Sequence, residues 1–275
     1  MEFRTVVDIP KLPFQIEPLQ PLLFVGSCFA DSIGQRFAEE HFPVTVNPFG
    51  TMYNPASILH TVERITSSPT PSLKEGEGLV SFLTLGTNHI YRLKETGEIV
   101  DNCQKRPQRL FDEEELSVNQ CTDLLVQTVE TLRRWRQDVQ VVVTVSPIRY
   151  AKYGYHGSQL SKATLLLAAD ELCRRYAEGV SYFPAYELVC DELRDYRFYQ
   201  PDMLHPSAQA VEYIWERLVE TCFSPRAKQF LQEWRPIRQA LNHRPFHSDS
   251  PDYQQFVAEA RQREQELLAR YSVRQ

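Results

Sequence analysis

The stretch "PLLFVGSCFADSIGQRFAEE", residues 21–40, decides how the chain is built. Leu22, Leu23, Phe24 and Val25 run straight into Gly26-Ser27-Cys28. A run so short and apolar, closed by turn residues, reads as a strand buried on both faces. Phe29, Ile33 and Phe37 then recur at i, i+4 and i+8, the spacing of one helix face. Strand, tight glycine turn and helix make the first unit of a parallel α/β sheet. Ligands of such sheets gather beyond the carboxyl ends of the strands, and Ser27 and Cys28 stand at such an end. A helix start also offers free N–H groups and a positive dipole end. Ser27 therefore reads in two ways, as a helix N-cap and as a nucleophile, and a hydroxyl becomes a nucleophile only if a base reaches it.

The rest of the chain repeats the unit. Residues 79–86, "LVSFLTLG", and 139–147, "VQVVVTVSP", are apolar strand candidates, and the second suits a central parallel strand. Residues 180–184 read as a further strand. Helices are expected over 55–66, 112–137, 160–177 and 207–222, with a small hairpin around Thr96-Gly97. "VNPFGTMYNP" is a loop broken by two Asn-Pro pairs, and "SSPTPSLKEGEG", 67–78, is a polar one. The expectation is one doubly wound α/β domain over 1–223 and a helical extension over 224–275. In that extension Phe256, Ala260, Leu267 and Tyr271 share a helix face.

Composition narrows the function. The 275 residues are 42% hydrophobic and 24% charged with a net charge of −6, a soluble globular mix. No Lys/Arg block of five occurs, so no nucleic-acid partner is expected. No apolar run reaches the length of a membrane span, and the N-terminus lacks a basic start followed by an apolar core. Six scattered cysteines without a Cys-x-x-Cys pair read as reduced thiols, so the expected compartment is the cytoplasm. Phosphate-binding glycine loops and tight metal-ligand spacings are missing, so no cofactor and no metal are expected. The expected state is a monomer, or a homodimer through the final helix face.

A base is available in "YQPDMLHPSAQAVEYIW". Asp202 precedes His205 by three residues in one irregular segment, close enough to orient the imidazole while its other nitrogen faces a nucleophile. Acyl transfer also needs donors for a developing oxyanion. The Ser27 N–H, the Gly50 N–H and the Asn88 side-chain amide lie at strand ends or in loops beyond them. Each residue has an ordinary alternative, as a cap, a turn glycine or an Asx turn, but the roles converge. Cys28 is the rival nucleophile, since a thiolate at a helix N-terminus is the more reactive group. Adjacent residues point in different directions, so only one of the two faces His205. Tyr153, Tyr155 and His156 of "KYGYHG", together with Asn47, are candidates to line a substrate cleft, with an ordinary surface loop as the alternative.

The motifs "VGSCFADSIG", "VNPFGTMYNP", "TLGTNHIYRLKETGEIVDNC", "TVSPIRY", "LSKATL" and "YFPAYELVCDELRDYRFYQPDMLHPS" resemble those of the GSCFA family, over most of residues 21–220. That family is similar to the SGNH (GDSL-like) hydrolases. The resemblance implies a flavodoxin-like sheet and chemistry on esters of lipids or sugars. It gives Ser27 the block-one serine, Gly50 the block-two glycine, Asn88 the block-three asparagine, and Asp202 with His205 the last block. It thereby favours Ser27 over Cys28. Two features depart from the pattern: His89 follows Asn88 where a carboxylate is usual, and the segment over 67–79 is short. The expected function is a serine esterase or acyltransferase acting on a small-molecule or saccharide O-acyl ester. The alternative is an SGNH-fold binding or scaffold protein that recognises a saccharide or a protein partner.

Overall fold

Alternate residues of the first strand serve two different cores. In the computed structural model, which describes residues 3–67, 78–101, 103, 106–176, 178–244 and 250–272, Leu22 and Phe24 face one side of the sheet. Leu23 and Val25 face the other, and all four are fully buried. A side-chain period of two on a strand covered on both faces produces this division.

In chain order the first half contains β1 (Leu22–Gly26), α1 (Cys28–Glu39), β2 (Val44–Val46), α2 (Pro55–Ser67), β3 (Val80–Leu85), β4 (His89–Leu93), β5 (Ile99–Val100) and β6 (Phe111–Glu115). Next come α3 (Val118–Trp135), β7 (Gln140–Val145), α4 (Gly154–Arg175), β8 (Val180–Tyr182) and α5 (Ala185–Glu187). The chain finishes with α6 (Ala208–Cys222), α7 (Pro225–Leu241) and α8 (Pro251–Ser272). The main sheet runs β2-β1-β3-β7-β8 with every pairing parallel. Numbered among themselves, those five strands follow the order 2-1-3-4-5, the flavodoxin-like doubly wound arrangement. Strands β5-β4-β6 form a small antiparallel sheet.

Helices α1 and α6 cover one face of the main sheet. Phe24 stacks on Phe82 at 4.7 Å, and Phe37 meets Trp215 edge-on at 4.8 Å. Helices α2, α3 and α4 cover the other face with aliphatic side chains. The C-terminal helices join the aromatic face: Phe230, Trp234, Leu267 and Tyr271 belong to its core. The Trp234 indole N–H donates to the Glu39 carbonyl at 3.1 Å, which ties α7 to the end of α1. Ala260, Leu267 and Tyr271 are buried together, whereas Phe256 is 44% exposed.

Three elements differ from the sequence reading. β2 is only Val44–Val46, too short for a periodicity to register. Residues 111–115 are a strand, not the start of a helix. Their acidic run satisfies itself across the ladder, where Lys94 pairs with Asp112 and Arg92 with Glu114. Helix α4 begins at Gly154 instead of near residue 160. Within the short polar segment before β3, residues 68–77 lie outside the described residues.

The turn that ends β1 tolerates no side chain. Gly26 has φ of +144°, and a Cβ on it would come within 2.2 Å of the Thr84 carbonyl oxygen. Gly26→Ala is expected to cost about 3 kcal/mol or more, from backbone strain and overpacking combined. Urea unfolding checks this, and a loss under 1 kcal/mol would show that the junction relaxes.

Candidate active site

At the carboxyl end of β1 the chain leaves the sheet through Ser27, the N-cap of α1. Its N–H donates to the Thr84 carbonyl at 3.0 Å. Its Oγ accepts from the Phe29 N–H at 3.3 Å and lies 3.1 Å from Thr84 Oγ1. The Ser27 side chain is fully buried by these contacts. The residue that turns outward is Cys28, the first of α1, whose Sγ lies 3.3 Å from His205 Nε2. Where the sequence reading preferred Ser27, the structure places the neighbouring thiol, not the hydroxyl, within reach of the imidazole. The reason is geometric, because the cap position directs a serine Oγ back over its own helix start.

His205 sits in the turn before α6, at the end of a loop that Asp202 organises. Asp202 Oδ1 accepts the N–H groups of Leu204 and His205 at 2.9 and 3.0 Å. Its Oδ2 lies 2.6 Å from His205 Nδ1. The two backbone donors and the imidazole hold the Asp202 carboxyl down at about 2. An ionised carboxylate only accepts, so Nδ1 carries the proton and the Nε2 lone pair faces Cys28. Burial pushes the Cys28 thiol up; its own backbone N–H works against this, Asp31 adds to it, and Lys162 opposes it. The sulfur therefore rests as a thiol that donates toward Nε2.

The Ser27 and Gly50 N–H groups are engaged elsewhere, and the Asn88 amide spends one of its two N–H donors on the fold. The Ser27 N–H is bonded to Thr84, and the Gly50 N–H donates to the Asn47 carbonyl at 2.8 Å. Asn88 is buried, and its Nδ2 donates to the Leu116 carbonyl at 2.8 Å, which secures β4 to the segment before α3. Asn47 braces the β1 turn: its Oδ1 accepts the Gly26 N–H at 2.9 Å and its Nδ2 donates to Asp31 at 2.8 Å. The Tyr153 ring stacks on His89 at 3.6 Å, and its hydroxyl donates to Glu113 at 2.6 Å. One ring face and the hydroxyl are thus used in holding the small sheet. His156 is exposed on the first turn of α4. Tyr155 is 54% exposed, and the Arg149 guanidinium lies 4.2 Å from its ring centre.

Several residues of this region were missed at the sequence level. Arg149 binds the loop that carries His205, through its N–H to the Leu204 carbonyl at 3.1 Å and its Nη1 to the Met203 carbonyl at 3.0 Å. Tyr199 and Tyr196 also approach its guanidinium, at 5.5 and 5.9 Å. Lys162 is buried and donates to the carbonyls of Gly86 and Ser146, each at 2.7 Å. It links the ends of β3 and β7, and burial pushes its ammonium down to about 7. A signal for it existed, since Lys162 is in phase with the buried stripe Leu165, Ala169 and Leu172 of α4.

Two clefts lie elsewhere. One of about 720 Å³ is bordered by Arg36, His41, Trp234 and Glu264, and one of about 810 Å³ by Leu19, Arg226 and Tyr271. Neither includes Cys28 or His205, and both are joints between the C-terminal helices and the main body. The chemistry sits where the sheet ends, as the topology requires. Among the described residues, no group of three His, Cys, Asp or Glu is arranged to hold a metal, and no helix is long and apolar enough to cross a membrane.

The fold and this site together define a flavodoxin-like α/β protein with thiol, imidazole and carboxylate in sequence at the carboxyl end of its sheet. The chain belongs to the GSCFA family, which matches residues 21–78 and 73–218. Residues 234–274 match the GSCFA domain protein, C-terminal domain. A search of curated proteins gives no match. Similar solved structures include a variant of an acetyl-xylooligosaccharide esterase from Geobacillus Stearmophilus, at 11% identity and TM-score 0.48, covering 77% of this chain and 98% of that one. A member of the lipolytic protein G-D-S-L family from Veillonella parvula is 11% identical with TM-score 0.46, covering 73% and 96%. A family 3 carbohydrate esterase from Clostridium thermocellum is 12% identical with TM-score 0.42, covering 82% and 99%. The fold class rests on the strand order itself.

Because burial holds the thiol up, iodoacetamide should alkylate Cys28 slowly at pH 7. The rate is expected to rise about tenfold per unit to pH 9 without a plateau, tracking the thiolate fraction. Mass mapping against Cys28→Ala checks it, and a rate already level at pH 7 would mean a resting thiolate.

Proposed function

We propose that the protein is an acyl-transfer enzyme, an esterase or acyltransferase acting on an O-acyl ester, with Cys28 as nucleophile. The observation that carries this reading is the continuous chain from Cys28 Sγ to His205 Nε2 at 3.3 Å and from His205 Nδ1 to Asp202 at 2.6 Å. His205 takes the thiol proton as sulfur attacks the carbonyl carbon. The tetrahedral adduct collapses, the leaving alkoxide receives that proton, and a thioester remains on Cys28. Water or an acceptor hydroxyl, deprotonated by His205, then releases the acyl group. Asp202 orients the ring and stabilises the imidazolium. Ser27 supports the chemistry from behind, by capping the helix whose first residue is the nucleophile.

A saccharide acceptor or leaving group suits the rim, where the exposed rings of Tyr155 and Tyr196 flank Arg149. All six cysteines are free thiols, which supports a reducing, cytoplasmic setting for a cysteine nucleophile. One observation favours the binding-protein alternative: the Ser27 and Gly50 N–H groups expected to serve as oxyanion donors are committed to the fold.

Incubation with p-nitrophenyl acetate followed by mass mapping separates the two. An acetyl group on Cys28 is expected, with p-nitrophenolate release falling at least about a thousandfold in Cys28→Ala and His205→Ala. Ser27→Ala should keep the adduct while losing about 1 kcal/mol of stability as a missing cap. An adduct on Ser27 would return the nucleophile to serine, and a folded protein with no adduct would leave the binding reading.

A further inference from the structure

Tyr150 lies just beyond β7, and its hydroxyl is buried without a hydrogen-bond partner among the described residues. Buried hydroxyls are almost always paired, and one left open weakens the fold. Its location is well fixed. A Cβ on Gly86 would lie 2.6 Å from this oxygen, so only a glycine leaves the space beside it free. The Tyr53 ring meets the Tyr150 ring edge-on at 6.1 Å, and Lys162 Nζ lies 5.3 Å from the ring centre. The Tyr150 N–H is held by Ser158 Oγ at 3.2 Å.

The sheet register places this oxygen at the same end of the sheet as the thiol. Gly26 pairs with Thr84 on the last rung of the parallel ladder, and the Ser27 N–H then bonds the Thr84 carbonyl, so the segments that lead to Cys28 and to Gly86 leave the sheet as neighbours. The unpaired hydroxyl against Gly86 thus lies at the sheet edge that also carries the sulfur. Burial, with the nearby Cys28 and Tyr53 acting the same way, drives the phenol's titration upward, so it stays a donor at physiological pH.

Resting on the reading of Cys28 as nucleophile, we propose that the Tyr150 hydroxyl is an oxyanion donor of this centre, in the part that the resemblance gave to Asn88, whose amide is tied to Leu116. As the sulfur–carbon bond forms, the carbonyl π electrons move onto oxygen, and Tyr150 donates a hydrogen bond to that oxygen without giving up its proton. The Cys28 N–H, at the first position of α1 where no intrahelical acceptor exists, is the second donor. Collapse restores the carbonyl, breaks the bond to the leaving alcohol and returns the donor to its open state. The unpaired hydroxyl of the free protein is a partner waiting for the transition state.

Tyr150→Phe tests this with two reagents on the whole chain. Acetylation of Cys28 by p-nitrophenyl acetate builds an oxyanion, whereas alkylation by iodoacetamide displaces iodide and builds none. The variant is expected to acetylate about 100-fold more slowly and to alkylate within about twofold of the parent. Its Tm should be equal or higher, because a buried unsatisfied oxygen has been removed. Equal acetylation rates in the two proteins would overturn the role of Tyr150 and leave Cys28 standing. A parent protein that alkylates but never acetylates at Cys28 would overturn the acyl-transfer reading, and this inference with it.

Discussion

The junction between β1 and β3 governs the molecule. Gly26 approaches the Thr84 backbone too closely for any Cβ, and the Ser27 N–H and Oγ both engage Thr84. Those contacts set where the first helix begins, and therefore which side chain stands at its N1 position. The Asn47 amide locks the same turn from the other side, through Gly26 and Asp31. With the turn held by three separate elements, Cys28 has little freedom in its direction. An active centre built on a strand-to-helix turn gains from that rigidity, since misplacement of the attacking atom costs rate steeply.

The polar groups around the centre divide into those that hold and those that remain free. Asn88, Lys162 and Asn47 look like chemistry in a sequence, yet each is occupied with fastening strand ends. Lys162 is the plainest case, a buried amine that spans two carbonyls where a backbone ladder has run out. Tyr153 and Glu113 do the same for the small antiparallel sheet. At the same sheet edge Cys28 and His205 bond each other and, through His205, Asp202, while the Tyr150 hydroxyl is unpaired among the described residues. A frame that spends its polar side chains on stiffness leaves the reacting groups few alternative partners.

The sheet was legible because its strands are buried on both faces and read as unbroken apolar runs, as in "LLFV" and "VVVTV". Short or charged strands were not. β2 offers three residues, and β6 is an acidic run whose strand character exists only opposite Arg92 and Lys94. At the site, the proximity of Asp202 and His205 was readable, since their separation is local and a turn brings them together. The choice between Ser27 and Cys28 was not, because it rests on the direction of two adjacent side chains about a cap, which no residue-type argument resolves. Family resemblance pulled toward the serine, whose side chain is buried at the cap while the Cys28 sulfur lies 3.3 Å from His205 Nε2. Tyr150 and Lys162 escaped notice for a related reason: each acquires meaning only through strand ends far away in the chain.

The aromatic core that backs β1 draws on both ends of the polypeptide. Ile9 and Ile16 come from its start, and Phe230, Leu267 and Tyr271 from its last helices, with Ile16 bridged directly to Phe223. The strand that leads to Cys28 is thus covered on its aromatic side by helices that lie far along the chain from it. In a nascent chain its apolar side chains stay uncovered, or covered by chaperones, until those distant helices have been made. The setting of Cys28 therefore depends on segments remote from it in the sequence.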